Sequence, residues 1–120
     1  MDRCGFRAVD AIGGDRPLSR HVVRVRPAAR RDIAELISWF RENADSEVAI
    51  RFAASATMTF RKLASEPGLG SPVETKVPDL LETRKWSVEG FPKIRVFYRP
   101  SRDGVSIIRV LHAAQDWRRF

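Results

Sequence analysis

The sequence predicts an α+β domain in two layers, with element order β-α-α-β-β-β and a helical hairpin packed on an antiparallel sheet. Three observations carry this expectation. Two consecutive stretches, near 27–43 and 46–65, repeat apolar residues at helical spacing with almost nothing between them. Three later stretches alternate at a period of two and are separated only by turn chemistry. A short alternating run also precedes the helices. A meander with one apolar face needs a cover, and the helical hairpin is the element available to supply it.

His21 to Arg26, HVVRVR, is the first expected strand, with His21, Val23 and Val25 on one face. Pro27 ends it and suits the first turn of a helix, where its missing N–H has no intrahelical partner to lose. Ile33, Leu36, Ile37 and Phe40 then recur at i, i+3, i+4 and i+7, with Arg30, Arg31, Glu35 and Glu42 facing outward. Asp45 or Ser46 is the expected cap of the second helix. Ala49, Phe52, Ala53, Ala56, Phe60 and Leu63 form its stripe, the alanines allow close approach, and Pro67-Gly68 stops it.

A connector follows, and Arg84 to Glu89 is a strand with Trp86 and Val88 on one face. Gly90-Phe91-Pro92 is read as a turn into a basic hairpin. Ile94, Val96 and Tyr98 alternate with Arg95, Phe97 and Arg99, and Pro100 to Gly104 turns the chain again. In the last strand, unbroken alternation places Ser106, Ile108 and Val110 on one face and Val105, Ile107, Arg109 and Leu111 on the other. Residues 1–20, with Gly5, Gly13, Gly14 and Pro17 and no periodicity, are expected to be a flexible extension of a domain spanning 21–120.

Composition narrows the function. Cys4 is the single cysteine, so neither an internal disulfide nor a cysteine metal site is expected, and no cofactor motif is present. No stretch has the length of a transmembrane span or the form of a signal peptide, which predicts a cytoplasmic protein. The net charge is +7, and residues 84–120 alone carry nine basic and three acidic groups. Charge segregated in this way attracts nucleic acid or an acidic protein.

The hairpin also carries a family resemblance. Ile94-Arg95-Val96-Phe97-Tyr98-Arg99, then Asp103-Gly104, then Arg109-Val110-Leu111-His112 with Asp116 closing, resembles the C-terminal half of the ParE branch of RelE/ParE-type toxins. Arg84-Lys85-Trp86-Ser87-Val88 is similar to the strand before that hairpin, and the likeness runs over roughly residues 21–117. It implies the same fold, with the first strand beside the last. It also implies a toxin of a type II toxin–antitoxin pair, neutralised by a small antitoxin with an acidic tail. The free toxin would act on DNA gyrase without being an enzyme.

Two sets of residues follow as expectations. Arg95, Phe97 and Arg99, pointing away from the helices, would bind the antitoxin, since a face mixing arginine and aromatic residues suits a partner segment; alternatively, Trp117 or Phe120 of the tail covers Phe97. Arg99, Arg109, Arg118 and Arg119 would contact the target. The alternative function is that of the RelE-like branch, a ribosome-dependent mRNA endonuclease. There Arg84, Lys85 and Arg95 would stabilise the scissile phosphate and His112 would take the ribose 2′-OH proton. The one tyrosine, Tyr98, lies mid-strand, Gln115 stands where many of the nucleases have a basic residue, and His112 is equally a feature of the ParE branch. These points favour the ParE-like reading, with His112 holding the turn after the strand.

Overall fold

The computed structural model describes residues 21–113 apart from 75, 77, 79 and 80. The expected extension 1–20 and the tail with Gln115, Asp116, Trp117, Arg118, Arg119 and Phe120 lie outside the described residues. The elements are β1 (Val22–Val25), α1 (Pro27–Asn43), α2 (Ser46–Ser65), β2 (Ser71–Pro72), β3 (Arg84–Val88), β4 (Phe91–Ser101) and β5 (Gly104–His112). The five strands form one sheet in the order β1-β5-β4-β3-β2, antiparallel except for β1, which runs parallel to β5. The two helices pack on one face, as the patterning predicts.

Both helices form where local chemistry allows. Pro27 opens α1 directly after Arg26. Asp45 caps α2 by accepting a hydrogen bond from the Val48 N–H at 2.8 Å, so the cap is Asp45 rather than Ser46. Ala29, Ala49, Ala56 and Ala64 are buried and bring the helix backbones close. Phe52, Phe60 and Leu63 from α2 meet Ile94, Val96 and Tyr98 of β4 and Val105, Ile107 and Val110 of β5 in one core. Thr59 ties α2 to the sheet: its hydroxyl donates to the Ser55 carbonyl and accepts from the Glu89 N–H at 3.1 Å.

Three strand readings are corrected. Phe91 belongs to β4, because Glu89 and Gly90 suffice for the turn, with Gly90 at φ 80°. The Phe91 ring packs on Phe40 and Phe52, each with a centroid distance of 5.3 Å. Pro100 and Ser101 also belong to β4, beyond Tyr98, the last residue that pairs with β3 in that direction. In β5 the alternation is broken. Phe97 pairs with Arg109 and Tyr98 with Ile107, so Ile108 is a bulge. Val105, Ile107 and Val110 therefore share the helix-side core, whereas Leu111 joins Phe97 and Val73 in a second cluster.

Candidate functional site

Helix α1 is held to β5 by one carboxylate. Asp32, only 7% exposed, accepts from Arg109 Nε at 2.7 Å and Arg109 Nη2 at 3.0 Å, and from the Val110 N–H at 3.0 Å. The paired fork is the geometry in which arginine binds a carboxylate most firmly. The hydrogen bond from Arg109 to Asp32 raises the guanidinium pKa further above its ordinary value, against the opposing pull of burial. Arg109, expected as a target contact, is therefore engaged in joining two elements. Next to the pair, Asp32, Glu35, Leu36, Trp39, Ile94, Val110 and His112 line a groove of about 400 Å³. Trp39 is 52% exposed there.

A second brace crosses the other end of the sheet. The Tyr98 hydroxyl donates to the Pro67 carbonyl at 2.6 Å and accepts from the Gly70 N–H at 2.8 Å. Burial raises the phenol pKa above its usual value, opposed by the Gly70 N–H and the nearby Arg84 charge. Arg84 donates to the Gly70 carbonyl, and so fastens the chain entering β2. A Cβ at Gly70 would lie 2.6 Å from both the Lys85 carbonyl and the Tyr98 hydroxyl, so only glycine fits.

The faces of the sheet sort the remaining candidates. Residues directly opposite one another in an antiparallel pair share a face. Arg84 pairs with Tyr98 and His112 with Ile94, and both partners belong to the helix-side core. Lys85 pairs with Phe97 and Arg95 with Leu111, whose partners form the cluster on the opposite face. Arg99 follows Phe97 by two positions and shares its face. Phe97 does point away from the helices, but it is buried against Val73 and Leu111 rather than exposed. That face carries Lys85, Arg95 and Arg99, each half-buried, around a covered aromatic ring.

The model of the ParE toxin of type II toxin–antitoxin systems matches residues 23–117. The chain belongs to this family. No curated protein matches it significantly. Among solved structures, the chain resembles one titled as a chromosomal ParDE system from P. aeruginosa, with a TM-score of 0.62 and 14% identity. That likeness covers 78% of this chain and 96% of the other, and concerns the fold. The toxin–antitoxin complex RelBE2 from Mycobacterium tuberculosis is similar at a TM-score of 0.53 and 25% identity, over 78% of this chain and 98% of that one. The ParE-type fold expected from the hairpin motif, with β1 beside β5, is the fold observed. Among the described residues no helix is long and apolar enough to cross a membrane.

Two residues of this ParE-family toxin escaped sequence reasoning. Asp32 sits within Arg30-Arg31-Asp32-Ile33, where it looks like one more charge on the outer face of α1. Its position four residues before Leu36 and eight before Phe40 was the available signal, because that row borders the apolar stripe. Gly70 gave none, since its constraint comes from Tyr98, 28 residues away.

Proposed function

We propose that the chain is a toxin held inactive by an antitoxin with an acidic tail, and that the free protein acts on DNA gyrase, blocks replication and catalyses no reaction itself. One observation favours this over the mRNA endonuclease: the four candidate nuclease residues divide between the two faces of the sheet. Arg84 and His112 lie on the helix side, Lys85 and Arg95 on the other. Phosphoryl chemistry needs base and cations around a single phosphate. Arg84 is also engaged with the Gly70 carbonyl, and in the groove at His112 the Asp32 carboxylate already holds Arg109, while Glu35 adds a negative charge unfavourable to an anionic substrate.

Arg95 and Arg99 then serve the antitoxin, their charge complementing an acidic tail that orders on binding. Phe97 can join them only where the segment at Val73 gives way. For the target the reading keeps Arg99, Arg118 and Arg119 and assigns Arg109 to its partner Asp32. The test is a pulse of expression in a bacterial host, with labelled thymidine and methionine incorporation followed together. DNA synthesis should stop first, and the purified protein should inhibit supercoiling by gyrase. Translation stopping first, with cut transcripts, would overturn the gyrase reading. Arg118→Glu with Arg119→Glu should abolish killing and keep antitoxin binding; undiminished killing would remove those residues from the target surface.

A further inference from the structure

Helix α2 buries one side in the core and carries an apolar row on the other. Phe52, Ala56, Phe60 and Leu63 face the sheet, whereas Ile50, Ala54 and Met58 follow one another by a turn on the far side. All three are exposed, Ile50 at 70% and Met58 at 66%, more than Trp39 or Leu81. Single exposed apolar residues need no explanation, but a row along one helix face marks a contact. The row ends in opposite charges. Glu47 lies a turn before Ile50, at the start of the helix, and Arg61 a turn after Met58, both exposed.

The spacings along this face, 3, 4, 4 and 3 residues from Glu47 to Arg61, read alike in either direction. Turned end for end about Ala54, the face therefore meets itself. Ile50 falls opposite Met58 of a second copy, and Glu47 opposite Arg61 of that copy, with both contacts repeated by symmetry. Ala54, at the centre, has no side chain beyond Cβ to hold the backbones apart. The same register sets Arg51 opposite Thr57 and Lys62 opposite Ser46, so no like charges meet.

We infer that α2 pairs antiparallel with α2 of a second copy of this chain, about a two-fold axis at Ala54. Helices that cross about 20° from antiparallel pack ~8–10 Å apart. Glu47 and Arg61 lie about 10 Å along the axis from Ala54, and their side chains are long enough to meet across that gap. An unrelated partner would need only a face that complements this one. Complementarity of the face to its own reversed order is what a second copy requires.

One helix pair is a small contact, so the association is weak and reversible. The helices cover one face of the sheet, and the pairing leaves the opposite face, with Lys85, Arg95 and Arg99, uncovered in both copies. It does not depend on the toxin reading, since no residue assigned to antitoxin or target takes part.

Sedimentation equilibrium of the full chain, from low micromolar to submillimolar concentration, should show a passage from monomer to dimer. Ala54→Glu sets two carboxylates at the axis while keeping a good helix former, and should leave a monomer throughout. Glu47→Arg and Arg61→Glu each bring like charges together at both ends of the contact, and each should weaken association at least fivefold. An equimolar mixture of these two variants should associate as the unaltered chain does, because each mixed pair again sets a cation opposite a carboxylate at both ends. A monomer at every concentration overturns the inference and leaves the face to another protein. A dimer that persists in Ala54→Glu also overturns it, since the contact then lies elsewhere. Single variants that weaken association without recovery in the mixture rule out the antiparallel register, and the inference with it.

Discussion

Two arginine–carboxylate forks close this fold across almost the same stretch of sequence, yet they sit in opposite surroundings. Arg109 and Asp32, 77 residues apart, meet at 2.7 and 3.0 Å with side-chain exposures of 26% and 8%. Arg24 and Asp103, 79 apart, meet at 3.1 and 3.0 Å with exposures of 53% and 48%. The first pins helix α1 to β5, and the second pins β1 to the hairpin turn before β5. Geometry alone ranks them as equals. Environment does not: a carboxylate withdrawn from water must keep its partners, whereas one at the surface can exchange them for solvent.

Removing the buried member should have the largest effect. Asp32→Ala leaves the Val110 N–H buried without its acceptor and the Arg109 charge half enclosed. The expected loss is about 3 kcal/mol of folding stability, read from the urea midpoint. A loss below about 1 kcal/mol would mean that water replaces the carboxylate and that the two forks differ little. Because the pair is shielded, the loss should barely change between low and high salt.

Tyr98 offers the same bracing without an ion pair, and so separates burial from charge. Tyr98→Phe removes the bonds to Pro67 and Gly70 while keeping the ring in the core. The Gly70 N–H is then left without its acceptor, at an expected cost of about 2 kcal/mol, independent of salt. A cost as large as that of Asp32→Ala would show that the charge on Asp32 adds nothing beyond its hydrogen bonds.

Much of this framework was legible in the chain, for reasons that also explain the gaps. The rows Ile33-Leu36-Ile37-Phe40 and Phe52-Ala56-Phe60-Leu63 announce helices because core packing repeats with the helix, and both are observed. Ile94, Val96 and Tyr98 announced the covered face of β4 in the same way. Ile108 gave no warning of its bulge, since an apolar residue fits either face and the break is set by pairing with β4. Strand β2 has two residues and exists only through its pairing with β3. At the site, alternation already put Arg95 and Arg99 on one face. It could not reveal that Arg84 and Arg109 are engaged inside the protein, because their partners, the Gly70 carbonyl and Asp32, are remote in sequence.

The surface fork should show the smallest effect, and one that depends on pH in the acid range. The hydrogen bond from Arg24, foremost, lowers the Asp103 pKa from 3.8 to about 2. A carboxylate whose pKa is lower in the folded state stabilises the fold in full only above its unfolded value. The contribution is therefore complete above about pH 4 and disappears as the pH falls through about 2. Arg24 stays charged throughout, its own pKa raised by the same hydrogen bond. Other carboxylates titrate in this window, so the readout is the difference between the unaltered chain and Asp103→Asn. That difference in urea midpoint should be small and positive at pH 7, shrink between pH 4 and 2, and narrow in high salt, since both groups lie in solvent. A difference that survives at pH 2, or resists salt, would mean that Asp103 acts through the shape of the turn, where it also accepts from the Ser101 hydroxyl at 3.1 Å, and the contrast between the two forks would have to be drawn on geometry instead.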